Sequence, residues 1–461
     1  MFKSTDKVKI TKNETAALVI CLVFYAVLCF ACGVELCADS RGYINMISAR
    51  EPVYPLFLAL FREVFGENIY LNIVIFIQNM LMAYAVWMSS VFIKRELKLK
   101  EYSVYLLIAM HFFVALLCQF VAGRGSVYPN SIMTEGIAMP LWIIFMVLVW
   151  KAVTRDEIKN LIAAAVLAAV MIDIRKQMAA VYLILFASCF LVWIGKKGFF
   201  KKMLILVGLL VASFIISVLG TQLYNYVLRG DAVRNTRDMN LVLTTSLYIA
   251  DEDDERLISE EKVRELFRET YAILDEKQCI MKYAGDSWSE LESHYEESFD
   301  MITVDTTKDL FVEYAIRCGA AEGTEAEQEA DRMSGVIVSS LLADNFVDYL
   351  KVYFSSVANG LINSIAKRNS LLDIYSLLAY IVYICMMIVC LINEKTGRSG
   401  IIGMTVLLSV VINACSVSAF IFPQTRYVMY SMALFYDAVI FMAIDIYRNI
   451  IKKTEKQIEI G

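Results

Sequence analysis

ELCADSRGYINMISAREPVYPLFLALFREVFG, residues 35–66, separates the first two long apolar runs of the chain, residues 15–34 and 69–93. Its charges and prolines make it too polar to cross a membrane. Its second half, PLFLALFREVFG, repeats apolar residues at helical spacing over about three turns, which predicts an amphipathic helix on a bilayer surface. The chain therefore opens with a membrane-spanning helix, a polar loop and a surface helix.

The composition of the whole chain indicates an all-α polytopic membrane protein. Of its 461 residues 59% are hydrophobic and the mean hydropathy is +0.58, whereas soluble proteins are about 45–50% apolar. Residues 229–345 hold 28 acidic and 12 basic side chains, a balance of −16, and lack an apolar run long enough to span a bilayer. We therefore divide the chain into an N-terminal transmembrane module (1–228), an acidic insert (229–345) and a C-terminal transmembrane part (346–461).

Apolar runs outside the insert predict about ten transmembrane helices. They cover residues 15–34, 69–93, 102–121, 132–150, two short spans within 161–194, 203–226, 371–392, 401–422 and 427–446. Every second loop between these spans is rich in lysine and arginine. The positive-inside rule therefore places these loops and both termini in the cytoplasm. Residues 35–66 and the insert are then expected on the extracytoplasmic side.

The insert has amphipathic patterns that predict a mainly helical domain. Apolar residues recur three and four apart in residues 254–274, 306–318 and 324–345, and Asp305 is positioned to cap the second of these helices. Residues 346–361 carry one apolar stripe, which predicts a helix at the membrane interface. Cys279 and Cys318 would be able to form a disulfide if the insert faces an oxidising compartment.

Ionisable residues are expected to gather at the extracytoplasmic face. They are Asp39, Arg41, Arg50, Arg124, Glu135, Asp173, Arg175, Lys176 and Arg426. Charged groups at membrane depth are costly, so they are usually paired, reach to the interface or take part in chemistry. Any one of them is equally well explained as an interfacial loop charge, but outer loops should be poor in arginine. As a set they indicate a site.

The first loop resembles that of the GT-C superfamily, integral membrane glycosyltransferases that use polyprenyl-phosphate-linked sugars, such as protein O-mannosyltransferases and aminoarabinose transferases. REPVYPLFL, residues 50–58, is similar to the family's R-x-P-x-Y-P-L-F-L corner. Asp39 in ADSRGY lies where these enzymes carry a catalytic acid, so the resemblance implies that it is the catalytic base. Ser40 replaces the second acid that many relatives have, so a metal-binding pair is not indicated.

The resemblance extends to other outer residues. Glu135 in MTEG is similar to an acid at the start of the family's fourth span, and is a second catalytic candidate. Arg175 follows the fifth span, as does an arginine that faces the lipid phosphate in relatives. Arg426 in FPQTRY resembles an arginine near the last outer loop. With Arg50 and Lys176, these two arginines are the candidates for binding the donor phosphate.

The family implies an inverting transfer of a sugar from a polyprenyl-phosphate donor to an extracytoplasmic glycan, lipid or protein, at a bacterial plasma membrane. The acceptor hydroxyl must lose a proton, which a carboxylate can take, and the departing phosphate must be stabilised by arginine or lysine. Membrane lipids are expected partners and nucleic acid is not. No cofactor is expected, although the chemistry is compatible with a divalent metal.

Aromatic and histidine side chains have simpler explanations. Tyr43 and Tyr54 are candidates for contacting the substrate, although anchoring at the membrane interface explains most aromatic residues of such a protein. His111 lies in a predicted span and His294 in the insert, and each is more simply a packed or solvated side chain than a metal ligand.

Three other functions are alternatives, although the outer charges of this chain gather at one face, no internal repeat appears, and the insert is acidic with one histidine. A transporter or flippase for lipid-linked glycans would have charged or broken spans at mid-membrane and often internal repeats. A glycan polymerase or ligase would have a large outer loop rich in arginine and histidine. A non-catalytic scaffold protein would have the same architecture, because a fold does not by itself imply an activity.

Overall fold

The computed structural model describes residues 10–121, 128–230 and 239–451. Their helices are α1 Lys12–Cys32, α2 Ser40–Ile44, α3 Val53–Phe65, α4 Tyr70–Glu96, α5 Ser103–Val121, α6 Glu135–Arg155, α7 Ile158–Ile174, α8 Ala180–Trp193, α9 Phe199–Arg229, α10 Asn240–Tyr248, α11 Glu261–Glu276, α12 Trp288–Ile302, α13 Lys308–Arg317, α14 Thr324–Leu341, α15 Phe346–Ile365, α16 Ser370–Ile392, α17 Gly397–Ser418, α18 Thr425–Val428 and α19 Met432–Ile446. Within these residues no β-strand forms, and one isolated β-bridge joins Glu35 to Ser131.

Within the described residues, eight helical segments are long and apolar enough to cross a membrane. They are Lys12–Cys32, Tyr70–Glu96, Glu135–Arg155, Lys176–Trp193, Phe199–Arg229, Ser370–Ile392, Gly397–Ser418 and Thr425–Asn449. α5 and α7 occupy the places of two further predicted spans, but α7 has only 17 residues. The protein is therefore an all-α polytopic membrane protein, and the number of ten spans stays a prediction.

The central helix of the bundle is α6, most of which is buried against α4, α7, α8 and α17. α9 and α16 lie at the periphery, where most of their apolar residues are exposed. On α16, for example, Leu371 is 75% and Leu377 62% exposed. Exposed apolar helix surface of this extent is expected where a protein faces lipid.

Ion pairs tie the helices together at one end of the bundle, which we call the Glu14 end. Glu14 near the start of α1 is fully buried and contacts Lys94 at 2.9 Å near the end of α4. Glu96 at the end of α4 pairs with Arg155 at 2.8 Å and with Arg398 at 3.2 Å. Charges are thus not confined to the predicted outer face, because this end also buries carboxylates, and each of them is paired.

Loops meet at the opposite end, which we call the Asp39 end. The backbone N–H of Glu35 donates to the carbonyl of Asn130 at 3.0 Å, and that of Ile132 donates to the carbonyl of Glu35 at 2.9 Å. The Asn130 side chain donates to the carbonyls of Cys29 (3.1 Å) and Gly33 (2.7 Å), so it satisfies the end of α1. The first two loops at this end are therefore held in one arrangement.

The insert has its own apolar core, formed by α10 to α14. Its largest fully buried side chains are aromatic, among them Tyr248, Phe267, Tyr295 and Phe299. The predicted helical character is confirmed, but the prediction that Asp305 caps a helix is wrong. The backbone continues from α12 into α13 through a π-helical turn, Thr303–Thr307, so no helix begins at Asp305. Cys279 and Cys318 are both free thiols.

α15 joins the insert to the C-terminal part of the bundle through its polar side. Its buried residues include Ser355, Ser356, Asn359 and Asn363, while Phe346 and Phe354 of the predicted apolar stripe are half exposed. The polar side faces the insert, where Ser356 and Asn359 donate to the carboxylate of Glu292. Sequence periodicity locates this helix, but its buried side is not the apolar one.

Candidate functional site at the Asp39 end

Six of the predicted site residues come together at the Asp39 end. This group, the Asp39 cluster, consists of Asp39, Tyr43, Arg50, Glu135, Arg175 and Arg426. It draws on the first loop, the start of α6, the end of α7 and the short helix α18. Four separate parts of the chain are therefore needed to assemble it.

Asp39 lies directly before α2 and pairs with two arginines. Its Oδ1 atom accepts a hydrogen bond from Arg50 at 2.8 Å, and its Oδ2 atom lies 3.6 Å from Arg426. Arg50 also lies 4.6 Å from the centre of the Tyr43 ring. The Asp39 side chain stays 36% exposed, so it is the more accessible carboxylate of the cluster.

Glu135 is fully buried and forms a second ion pair with Arg175, whose side chain is 19% exposed. Its Oε1 atom accepts from Arg175 at 2.6 Å, and the Glu135 side chain has no exposed surface. Arg175 and Arg426 each lie 4.5 Å from the centre of the Tyr427 ring, on which they form cation–π contacts. Tyr427 therefore holds the two arginines of the two ion pairs close together.

The walls of the site depend on Gln78 of α4. Its amide donates to the carbonyls of Pro129 (2.8 Å) and Ser131 (3.2 Å), and its oxygen accepts from the Tyr54 hydroxyl at 3.0 Å. A Cβ atom at Gly136 would lie 2.5 Å from this side chain. A larger residue at this position would force the buried, hydrogen-bonded Gln78 side chain to move, so Gly136 allows α6 to begin close to α4, next to Glu135.

The charges of the cluster favour an anionic ligand. Three arginines face two carboxylates, so the cluster carries one surplus positive charge. Burial alone would raise the pKa of Asp39, but Arg50, Arg426 and Arg175 hold it below its usual range. Burial raises the pKa of the Tyr43 hydroxyl to about 12. Asp39 is therefore ionised at neutral pH, and an anion that neutralises the arginines would make it more basic.

Two further candidates, Lys176 and Tyr54, lie near the cluster with different partners. Lys176 is 3.8 Å from Glu51, a partly buried neighbour of Arg50 that sequence reasoning did not select. Tyr54 is fully buried and Tyr43 is 5% exposed, so both are wall residues in this conformation. The substrate-contact role of these two tyrosines stays a prediction.

The remaining outer charges do not join the cluster. Asp173 on α7 accepts a hydrogen bond from Ser217 on α9. Arg41 is exposed on α2. Arg124 lies outside the described residues.

Sequence reasoning missed one ionisable pair inside the bundle. His111, near the middle of α5, contacts Asp437 of α19 at 3.0 Å, and the two side chains are 3% and 0% exposed. His111 borders a small cavity of about 40 Å³ that is also lined by Tyr128 and Tyr430. An aspartate in the middle of an apolar run was the available signal, since an intramembrane carboxylate usually marks function.

Comparison with known proteins does not assign this chain to a family. No protein-family model, curated protein or solved structure matches the chain. Among the described residues, no group of three or more histidine, cysteine, aspartate or glutamate side chains is arranged to hold a metal ion. The site must therefore be interpreted from its own chemistry.

Proposed function

We propose that this protein is a membrane glycosyltransferase of the GT-C type that transfers a sugar from a polyprenyl-phosphate donor to an extracytoplasmic acceptor. The observation that supports it most directly is the Asp39 cluster, in which an accessible carboxylate lies among three arginines at one end of an apolar helix bundle. An anionic lipid and a hydroxyl nucleophile are the reactants that this combination fits.

In the proposed reaction, the acceptor hydroxyl oxygen forms a bond to the anomeric carbon on the face opposite the phosphate. Asp39 takes the hydroxyl proton as this bond forms. The bond between the anomeric carbon and the phosphate oxygen breaks, and the phosphate leaves with the bonding electrons. Arg175 and Arg426 stabilise the charge that develops on the leaving phosphate. The configuration at the anomeric carbon is inverted.

Asp39 suits the base better than Glu135 because of exposure. Glu135 is fully buried and pairs with Arg175, whereas Asp39 is 36% exposed and can be reached by an acceptor. Binding of the donor phosphate would draw Arg426 and Arg50 away from Asp39. This would raise the basicity of Asp39 when the donor is in place.

We also propose ten crossings, with the Asp39 end on the extracytoplasmic side of a bacterial plasma membrane. Successive apolar helices alternate in direction, because α1 ends and α4 begins at the Asp39 end, and α4 ends at the Glu14 end beside α1's start. α9 ends at the Asp39 end, where Arg229 donates to the carbonyl of Met46 at 2.7 Å. Counting α5 and α7 as spans makes the alternation complete.

The decisive experiment assays sugar transfer by the purified protein from a panel of radiolabelled polyprenyl-phosphate sugars. Asp39→Asn keeps the shape of the side chain but removes its basicity, and should lower turnover about 10²–10⁴-fold. Glu135→Gln is the matched control. If Glu135→Gln abolishes transfer and Asp39→Asn does not, Glu135 is the base. If neither variant affects transfer in a normally inserted protein, the proposed enzyme function is wrong.

A second candidate is a transporter or flippase of a lipid-linked glycan, and one observation favours it. The buried His111–Asp437 pair lies inside the bundle, where proton-coupled transporters carry such groups. In vesicles, translocation of a fluorescent polyprenyl-phosphate glycan should then depend on a proton gradient, and Asp437→Asn should remove that dependence. Sugar transfer that is insensitive to Asp437→Asn supports the enzyme instead.

A further inference from the structure

A polar groove of about 750 Å³ separates the insert from the membrane bundle. We call it the α12 groove. One wall is α12, and the other is the corner between α15 and α16. Residues 422–426 close one side of it and include Arg426. Arg426 also approaches Asp39 at 3.6 Å, so this one residue belongs both to the groove and to the Asp39 cluster.

The two walls of the groove carry opposite charges. Glu296 and Asp300 are exposed on the α12 wall. Lys367 is exposed on the corner wall, next to Arg368, which bridges the groove by donating to Ser289 of α12. A ligand that fits both walls has an anionic part and a part rich in hydrogen-bond donors.

The corner wall also carries one acidic residue, Asp373, but this residue does not neutralise the positive charge of Lys367 and Arg368. The Asp373 carboxylate accepts a hydrogen bond from the backbone N–H of Asn369 at 3.2 Å, in the first turn of α16. There it lies near the positive end of the helix dipole. Among the described residues, Lys367 forms no ion pair with an acidic side chain.

The corner wall continues into a surface that faces lipid. α16 begins at Ser370, and Leu371 and Ile374 in its first turns are 75% and 61% exposed. An aliphatic chain lying along this helix would place its polar end at the level of Lys367. The groove is therefore open to an amphiphile that remains in the membrane.

We infer that the α12 groove binds the head group of a membrane-anchored phospho-sugar. Its phosphate contacts Lys367 and Arg368, and its sugar hydroxyls donate to Glu296 and Asp300. The head group then reaches Arg426 from the side while the chain stays in lipid. This inference rests on the proposed function, for which the groove supplies a first binding surface, from which the donor phosphate passes to Arg426 and Arg175 for the reaction.

The test measures binding of undecaprenyl phosphate to the full-length protein in nanodiscs of neutral lipid. Lys367→Glu should weaken this binding about tenfold or more, because it replaces a charge-assisted hydrogen bond with repulsion. Lys351→Glu is the matched control: Lys351 is exposed on α15, the helix that precedes Lys367, pairs with Asp348 at 2.6 Å, and does not line the groove. Binding by this control should be unchanged.

A second pair of variants tests the α12 wall. The double variant Glu296→Gln and Asp300→Asn should bind undecaprenyl phosphate like the wild type, because the phosphate contacts the other wall. It should bind undecaprenyl-phosphate sugars more weakly than the wild type does. Equal binding of these sugars by the double variant and the wild type would contradict the assignment of the two walls.

Other outcomes separate this inference from the proposed function. If Arg175→Ala weakens binding of undecaprenyl phosphate and Lys367→Glu does not, the groove is not the head-group site and the proposed function survives. If the wild type does not bind undecaprenyl phosphate at all, both are wrong. If phosphatidylglycerol vesicles bind with the same dependence on Lys367, the groove is a general contact for anionic lipid, and the inference is wrong.

Discussion

Glu292 of α12 should make the stability of the insert depend on pH. Its side chain is 1% exposed and accepts hydrogen bonds from Ser356 at 2.8 Å and from Asn359 at 2.9 Å, both on α15. No salt bridge forms to it in the described residues. Burial raises its pKa to about 7, and the hydrogen bonds from α15 oppose this only in part. Glu292 is therefore a buried acid that favours its neutral form.

The sign of the effect follows from proton binding. An unfolded glutamate has a pKa of about 4.3, so between about pH 4 and 7 the folded state binds the additional proton. The free energy of unfolding therefore falls as the pH rises through this window and becomes constant above it. A pKa near 7 corresponds to a total loss of about 3–4 kcal/mol. This loss is large for a single side chain.

Glu292→Gln removes the charge while keeping groups that can hydrogen bond to α15. At pH 5 the variant should be only slightly more stable than the wild type, by about 1 kcal/mol, because the folded wild type still holds its proton while the unfolded glutamate is already mostly ionised. At pH 8 the variant should be more stable, by up to about 3 kcal/mol. Thermal unfolding of the purified full-length protein in detergent, followed by circular dichroism from pH 5 to 8, measures the difference. Hydrogen exchange of α12 and α15 locates it.

Glu297→Gln provides the control, since Glu297 is exposed on the same helix. It removes an equal charge and should leave the pH dependence of the wild type in place. If the difference in stability between the wild type and the Glu292→Gln variant is the same at pH 5 and at pH 8, the reasoning is refuted. Glu292 would then be ionised throughout, and its partners on α15 would be sufficient to stabilise the charge.

Three further predictions concern the bundle. Gly136→Ala should lower the melting temperature, because its Cβ atom would meet the Gln78 side chain at 2.5 Å; an unchanged melting curve would show that Gln78 moves without cost. Arg175→Ala should weaken binding of undecaprenyl phosphate as well as turnover, whereas a base variant should affect mainly turnover; this is measured by comparing the dissociation constant with kcat. In intact cells, on a cysteine-depleted background, a membrane-impermeant thiol reagent should label a cysteine placed at position 290 but not one at 197. The opposite result would put the Asp39 end in the cytoplasm.

The helices were predictable because their signals are local. Runs of apolar residues locate the eight helices that are long enough to span the membrane, and periodicity locates α11 and α14 of the insert. End signals are local too: Ser287 and Glu290 form a capping box at the start of α12. The exception, Asp305, has the same kind of signal, but tertiary packing continues the helix through that position.

The composition of the cluster was predictable in part. Asp39, Glu135, Arg175 and Arg426 were among the nine charges expected at the outer face, and the family resemblance singled them out; all four lie at one site. Their pairing was not predictable. Nothing in the residues around Asp39 indicates that Arg426, near the other end of the chain, approaches it, or that Glu135 rather than Asp39 holds Arg175.

The sequence by itself therefore determined the membrane class, the helices and the side chains able to form a site. Only the tertiary structure decided which charges are buried and with which partners, as for Glu292 against α15 and His111 against Asp437. The physical reason is that hydropathy and helical periodicity act between neighbours in the chain. The cost of burying a charge depends instead on donors and acceptors that distant helices bring into contact with it.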